Sequence, residues 1–320
     1  MALCPAFDPG APYVAAMLAL ADCQSQGIAE DGWRALAGGF GPALTALLTI
    51  AVALLGYRLM LGERLDPPRA ATLMLRIAVV LALCTQWSAW DALAFRIGTQ
   101  EPAALAATVL APGGLGGGDG AAITARFDRL DDQIGAIAAI VAAPAAVAGS
   151  PDATPAAPPP TMALLSTEDQ HQLLSARRII TVTALAGLIA VRAALALLLA
   201  LGPLFAASLL FAQTQSFFAG WLRAMAGAIL AAVAIPMMLA LELAVVEPQV
   251  GALAALLDAA QPPGDAVVRL WETAGVFALA LPALVLALAR AASALRLPVR
   301  ADAARARITA ARIAGEWPAP

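Results

Sequence analysis

Apolar residues follow one another in long runs with few charges, which differs from the mixed pattern of a soluble protein. A helix needs about 20 mostly apolar residues to cross about 30 Å of hydrocarbon. The pattern predicts five such spans, at residues 35–57, 72–90, 179–201, 217–246 and 271–289. Trp33 and Tyr57 flank the first run, as amphipathic rings do at membrane interfaces. The predicted fold is therefore an all-α integral membrane protein with about five transmembrane helices.

Three sequence features predict where these helices break or end. Gly202-Pro203 should interrupt the third helix, because proline removes a backbone donor and clashes with the preceding turn. The apolar stretch 204–211 is too short to span a membrane, and we interpret it as a bent continuation or a re-entrant piece. Pro236 predicts a kink in the fourth helix, and Glu247-Pro248 predicts its end.

The distribution of arginine predicts the orientation, because cytoplasmic loops are enriched in basic residues. The segment 1–34 has one arginine against four acidic residues, whereas the loop 58–71 has three arginines and the tail 290–320 has six. With five spans both basic segments lie in the cytoplasm, so the topology is N-out/C-in. Arg177 and Arg178, at the outer edge of the third span, do not follow this rule.

This topology divides the chain into parts that lie inside and outside the membrane. They are a periplasmic segment 1–34, transmembrane helices 1 and 2 within 35–90 with the cytoplasmic loop 58–71, a periplasmic loop 91–176, transmembrane helices 3–5 within 177–289, and an arginine-rich cytoplasmic tail 290–320. We expect the tail either to lie on anionic lipid or to dock a cytoplasmic partner.

The periplasmic loop contains one amphipathic helix, predicted over 121–141. Its apolar residues recur in steps of four and three and form one narrow stripe, with charged residues opposite. The stripe residues are Ile123, Phe127, Leu130, Ile134, Ile137 and Val141. The stripe either packs on the protein itself or forms a seam with another copy or subunit. After an extended Pro/Ala-rich linker 142–160, Ser166 should cap a helix that runs into the third span.

Composition excludes a soluble globule and offers little catalytic chemistry. Apolar residues make up 61% of the chain and charged residues 13%, against about 45–50% and about 25% in soluble domains. All 19 basic residues are arginine, so no lysine can serve a phosphate loop or a Schiff base. His171 is the single histidine and is expected to be solvated. We predict that the protein is not an enzyme and has no catalytic, cofactor-binding or metal-binding residues.

Two cysteines and two charged residues are candidates for a special role. Cys4 and Cys23 should face an oxidising compartment, where they form a disulfide or remain free thiols. Arg192 lies about two-thirds of the way through the third span. It either snorkels or pairs for stability, or it lines a wet pathway. Glu242 lies near the outer end of the fourth span, where a carboxylate either reaches water or acts as an intramembrane polar site.

Aromatic residues open the fourth span. Phe217, Phe218 and Trp221 lie within one and a half helical turns of one another. They either form an interfacial belt or serve as a gate or subunit contact.

Five stretches, taken in order, resemble a known family. They are Asp22-Cys23-Gln24 and the segments 56–62, 199–205, 217–221 and 247–248. Their order and spacing, together with the five-span topology, resemble the polytopic inner-membrane subunit of type IV secretion and conjugation systems, the TrbL/VirB-six family. The resemblance covers the N-terminal segment and the first four spans.

This resemblance implies a structural and channel-forming subunit in the bacterial inner membrane that supports translocation of DNA or protein across the envelope. It implies a homo-oligomer in contact with membrane lipid, the periplasmic scaffold and the energising ATPases, and it implies no cofactor. The alternative is a secondary transporter or permease for a small solute. That class predicts paired repeats around a midplane site, and the sequence has no visible repeat.

Overall fold

The structure is a computed structural model that describes residues 4–6, 8, 10–61, 71, 74–75, 77–82, 108, 120–142, 165–210 and 214–294. The regular elements with defined bounds in this part of the chain are helical. They are α1 (Tyr13–Met60), α2 (Gly120–Ala142), α3 (Thr167–Ala200), α4 (Gly202–Ala207), a 3-10 turn (Ser208–Leu210), α5 (Gln215–Asp258) and α6 (Ala266–Ala294).

Among the described residues, α3, α5 and α6 are each long and apolar enough to cross a membrane. Helix α1 consists of two parts, Tyr13–Gly39 and Gly41–Leu54, which meet at an angle of 49° and together qualify as a fourth span. These helices coincide with four of the five predicted spans. The remaining one, 72–90, lies largely outside the described residues. The all-α membrane fold is confirmed for the described part of the chain, which accounts for three or four of the predicted spans.

Helices α1 and α3 run side by side in the same direction. Asp22 of α1 pairs with Arg192 of α3, and further along α1 Gly32 lies against Ala200. A Cβ at Gly32 would come within 2.9 Å of the Ala200 Cβ, so this close approach requires glycine. The start of α1 therefore lies at the same end of the bundle as the first half of α3.

Helices α5 and α6 complete the bundle, each antiparallel to the helix before it. Helix α5 starts beside the end of α3, where Trp221 contacts Leu198, and Gln249 near its far end contacts Thr273 of α6. We call the end where α3 begins and α5 ends the α2 end, because α2 packs there. The opposite end, where α3 ends and α4 follows, is the α4 end.

Two apolar cores hold these helices together. The core at the α2 end joins α2 to buried residues of α3, α5 and α6, including Leu173, Leu243 and Leu270. The core at the α4 end joins α1, α3 and α5 through Trp33, Leu199 and Trp221. Because burial of a large apolar side chain stabilises a fold by about 1.5–3 kcal/mol, both ends contribute to cohesion of the bundle.

The first helix begins earlier than the sequence predicted. Charges before residue 35 suggested a span that starts there, but α1 begins at Tyr13. The helix accommodates those charges on its surface, where Arg34 pairs with Glu30 one turn earlier. Trp33, predicted to lie at the membrane interface, is 5% exposed and packs in the core at the α4 end. Part of the predicted periplasmic segment 1–34 therefore packs inside the bundle.

The fourth predicted span was expected to end at Glu247-Pro248, and this is wrong for the helix. Helix α5 continues through Pro248 to Asp258. Proline inside a helix costs about 3 kcal/mol, but Val250 and Leu253 beyond it are buried in the core at the α2 end. Burial of these two side chains offsets a cost of that size.

The structure agrees with the predicted end of α3, the predicted bounds of α2 and the predicted start of α3. Helix α3 ends at Ala200, one residue before Gly202-Pro203, and the apolar stretch that follows forms the short α4 and the 3-10 turn. Helix α2 matches the predicted helix 121–141 within one residue at each end. At the start of α3, Ser166 and Asp169 bond reciprocally to each other's backbone N–H. All of the linker 142–160 except Ala142, the tail beyond residue 294, and most of the loop 58–71 and of segment 83–119 lie outside the described residues.

Candidate functional site

The apolar stripe of α2 packs on the protein itself. Its five described side chains, from Ile123 to Ile137, are between 1% and 7% exposed and lie in the core at the α2 end. This is the first of the two arrangements that the sequence allowed, and it leaves these five side chains no exposed face for a seam with another copy. The polar side of α2 then contacts three other helices.

The first polar contact joins α2 to α5. Arg126 donates from Nε to Glu247 Oε1 over 2.9 Å and from Nη2 to Glu247 Oε2 over 2.7 Å. This two-bond geometry matches the planar guanidinium to the carboxylate. Hydrogen bonding to Glu247 raises the pKa of Arg126 above its usual value, although partial burial acts in the opposite direction.

The second polar contact joins α2 to α3. Arg177 donates from Nε and Nη2 to the two oxygens of Asp131 over 2.7 Å and 2.6 Å, and Thr181 donates to Asp131 over 3.2 Å. Gly135, one turn along α2, leaves room for the guanidinium, because a Cβ there would lie 3.1 Å from Arg177 Nη1. Asp131 therefore neutralises the charge of Arg177, one of the two arginines that do not follow the enrichment of basic residues in cytoplasmic segments.

The third polar contact joins α2 to the start of α1. Asp128 accepts hydrogen bonds from the backbone N–H groups of Val14 over 2.8 Å and of Ala15 over 3.2 Å. The first N–H groups of a helix lack partners within it, and Pro12 at the cap position has no side-chain acceptor. Asp128 supplies that acceptor and places a negative charge at the positive end of the helix dipole.

The charged face predicted opposite the apolar stripe of α2 contains Arg126, Asp128 and Asp131, and no sequence pattern indicates their partners. Their contacts connect residues more than forty positions apart, which no local pattern reveals. One signal was present for Asp128, since Pro12 stands before an apolar helix with no residue able to cap it.

Arg192 forms an ion pair with Asp22 of α1. Its Nη1 also donates to the backbone carbonyl of Leu188 over 3.3 Å. The structure thus brings Arg192 into a helix–helix contact, the arrangement expected if it pairs for stability. Neither partner is fully buried, so the pair lies at the surface of the α1–α3 contact.

Glu242 does not reach water in the structure, contrary to the simpler of its two interpretations. It is 1% exposed, and among the described residues no donor bonds to its Oε1. Because α5 extends to Asp258, Glu242 lies well inside the helix, between the fully buried Leu239 and Leu243. A carboxylate inside a membrane helix is costly to keep and is a candidate functional group.

Cys4 and Cys23 are joined by a disulfide, with their Cα atoms 5.6 Å apart. The bond connects Cys4, which precedes α1, to Cys23, about three turns into that helix. Cys23 follows Asp22, so the disulfide lies next to the Asp22–Arg192 pair.

The aromatic residues at the start of α5 do not share one environment. Trp221 is buried, stacks on Phe205 of α4 with ring centroids 6.2 Å apart, and packs on Phe218 at 5.4 Å. Its Nε1 donates to the carbonyl of Leu198 over 2.9 Å, in the last turn of α3 where carbonyls lose helical partners. Phe217 points away and is 63% exposed. Trp221 therefore stabilises the turn at Gly202-Pro203 through its contacts with Phe205 and Leu198. Phe217 remains available for contact with another molecule.

Among the described residues, no group of three or more His, Cys, Asp and Glu side chains is arranged to hold a metal ion. The polar side chains described above form contacts between helices, and these contacts hold the helices of the bundle together.

Comparison with protein families gives one match. The model of a family described as TrbL/VirB6 plasmid conjugal transfer protein matches residues 48–167 and 172–291. These segments make up more than half of the chain and include α2, most of α3, and all of α5. No curated protein matches the chain.

Proposed function

Because the chain belongs to the TrbL/VirB6 plasmid conjugal transfer family, we propose that it is a structural and channel-forming subunit of a type IV secretion (conjugation) system in the bacterial inner membrane. The single observation that carries the proposal is the family match over most of the membrane part. The family is a structural component of conjugation rather than an enzyme family, and membership implies interaction with other components of the secretion system.

The proposed topology has five spans with the N-terminus outside. Helices α1 and α3 both start at the α2 end, so the chain between Met60 and Gly120 has to return from the α4 end to the α2 end. In the proposed topology this return is the span that the sequence predicts at 72–90. Arg290, near the end of α6, lies toward the α4 end, where the topology places the cytoplasm.

In this proposal α2 organises the periplasmic surface of the subunit. It ties α1, α3 and α5 together through Asp128, Asp131 and Arg126. Arg129 and Asp132 remain exposed on its outer side and are available to the periplasmic scaffold. The disulfide between Cys4 and Cys23 forms in the oxidising periplasm and holds the start of α1.

The remaining parts of the proposal concern assembly and transport. We assign Phe217 to a contact between copies in a homo-oligomer and Glu242 to an intramembrane polar site of the pathway through which DNA or protein passes. Arg192 keeps its role as the partner of Asp22 in the α1–α3 contact. Other subunits, the energising ATPases, supply the energy in this proposal, because the sequence contains no lysine for a phosphate loop. Supporting observations are the exposed ring of Phe217 and the unpaired buried oxygen of Glu242.

Deletion and complementation in donor cells that carry the transfer system tests this function. Loss of the chain should abolish transfer to recipients, and the wild-type chain should restore it. Purification from those cells in mild detergent should recover other secretion subunits with the protein. A solitary monomer that transports a small solute, in cells whose conjugation is unaffected by the deletion, would contradict the proposal.

A further inference from the structure

A cleft of about 640 Å³ opens at the α2 end between α3 and α6. Helix α3 supplies Glu168, His171, Gln172 and Arg178 to its lining, and α6 supplies Trp271. Its lining residues belong to α3 and α6 and do not include Arg177, so the polar contacts of α2 described above do not fill it.

Arg178 brings a positive charge to this cleft. Its neighbour Arg177 is neutralised by Asp131, whereas Arg178 is exposed and forms no ion pair with any residue that the structure describes. A guanidinium group offers several donors in one plane and matches the oxygens of a phosphate. Arg178 is the second arginine that does not follow the cytoplasmic enrichment of basic residues, and a bound phosphate would neutralise its charge.

Gln172 brings an acceptor that lacks a donor. Its Nε2 donates to Glu168 Oε1 over 3.0 Å, while its own Oε1 is buried and has no hydrogen-bond partner in the described part of the chain. Buried polar atoms are almost always satisfied, so this oxygen calls for a donor from outside. The carboxylate of Glu168 beside it favours a donor with a positive charge.

The two groups are spaced along α3 in the order in which a phospholipid presents its charges. Gln172 lies about 9 Å nearer the start of the helix than Arg178, and long side chains in helices lean toward the helix start. The phosphate would therefore bind deeper and the ammonium group nearer the water, as in the headgroup of phosphatidylethanolamine. Trp271 also lines the cleft and is 42% exposed, and tryptophan is a residue that lies at headgroup level.

The surface below the cleft is apolar. Val182, one turn after Arg178 on α3, and Leu279, about two turns after Trp271 on α6, are both exposed. An acyl chain that runs down from the headgroup would cover them.

We propose that this cleft is a binding site for a zwitterionic phospholipid with a phosphate and a primary ammonium group. Arg178 holds the phosphate, and Gln172 Oε1 with Glu168 holds the ammonium group. The site goes beyond the secretion function and depends only on the membrane location of α3 and α6.

Native mass spectrometry of the full-length protein in mild detergent tests the proposal. Phosphatidylethanolamine, phosphatidylglycerol and inorganic phosphate are titrated separately. We expect retention of phosphatidylethanolamine, weaker retention of phosphatidylglycerol because it lacks the ammonium group, and no displacement by inorganic phosphate. Displacement of the lipid by millimolar phosphate would show a site for free anions and overturn the proposal.

Three variants locate the site. Arg178→Gln should weaken phosphatidylethanolamine binding about tenfold, which is the effect of losing one charged contact. Arg269→Gln, a matched control, removes an exposed arginine of α6 at the same end but outside the cleft, and should leave binding unchanged. Gln172→Leu should abolish the preference for phosphatidylethanolamine over phosphatidylglycerol.

Two outcomes would overturn the assignment. Equal binding by wild type and Arg178→Gln would do so, as would equal losses in Arg178→Gln and Arg269→Gln. A preference for phosphatidylethanolamine that survives in Gln172→Leu would reject the ammonium contact. Arg178 is exposed, so its replacement should not unfold the bundle, and elution of the variants at the wild-type position in size-exclusion chromatography checks this.

Discussion

The two ends of the bundle are fastened by different chemistry. At the α2 end, carboxylates and guanidinium groups connect α2 to three helices over a buried apolar stripe. At the α4 end, Trp221, Phe205 and Phe218 pack with Trp33 and small residues of α1 and α3. In the proposed topology the first end faces the periplasm and the second faces the cytoplasm.

The difference shows how helix ends depend on their surroundings. Residues at the α2 end are close to water, where charged pairs can form without complete desolvation. At the α4 end the chain turns back through Gly202-Pro203 inside an apolar cluster, so the carbonyl left at Leu198 is satisfied by an indole N–H. The indole N–H carries little desolvation cost, whereas a buried charge would cost several kcal/mol. Four experiments test this contrast.

The largest effect is expected from Trp221→Ala at the α4 end. Truncation of a buried tryptophan leaves a cavity and should lower the free energy of unfolding by about 3–5 kcal/mol, measured in mixed detergent micelles. The loss should not depend on salt concentration. Phe217→Ala is the matched control, because that exposed neighbour should change stability by about 0.5 kcal/mol or less. Equal losses in both variants would refute the packing role of Trp221.

Asp131→Ala should have the next largest effect, this time at the α2 end. It removes two hydrogen bonds from Arg177 and leaves that charge partly buried, so we expect a loss of about 2–3 kcal/mol in the same unfolding assay. Asp132→Ala removes the adjacent exposed carboxylate and should have little effect. If Asp132→Ala were as destabilising, the loss would reflect net charge rather than the Arg177 pair.

Asp128→Ala should lower the free energy of unfolding by about 1–2 kcal/mol, because the first N–H groups of α1 lose their hydrogen-bond acceptor. Hydrogen exchange should increase at Val14 and Ala15 and remain unchanged in the middle of α1. Asp128→Asn keeps an acceptor and should recover most of the loss, except for about 0.5 kcal/mol of helix-dipole interaction. Unchanged exchange at these two amides in Asp128→Ala would exclude the capping role.

The Arg126–Glu247 pair should show the smallest effect. A double-mutant cycle with Arg126→Ala and Glu247→Ala should give a coupling energy of about 1 kcal/mol, since Glu247 is partly exposed. The coupling should decrease between 0.05 M and about 1 M salt. Salt-independent coupling would indicate that the two ends of the bundle do not differ in the way described.

Local patterns were sufficient for much of the helical framework. The apolar runs located α3, α5 and α6, the Gly202-Pro203 pair located the break after α3, and Ser166 located its start. The four-three spacing located α2 and its buried stripe. Each of these features depends on residues within one or two helical turns.

Local sequence patterns did not predict the polar contacts between helices. Asp22 was interpreted as a charge that precedes a span, but Arg192 pairs with it across the α1–α3 contact. Glu242 was placed near water because Pro248 seemed to end α5, whereas distant apolar contacts carry the helix past it. In both cases a contact between remote parts of the chain outweighed the local signal.

The amino-acid sequence by itself determined that this protein is helical, belongs in a membrane and turns at Gly202-Pro203, because apolar run length and backbone chemistry are local properties. Only the tertiary structure decided which charges are partnered and where α1 and α5 end. A charged side chain is stable in a helix when another helix supplies its counterpart, and that depends on how the helices pack.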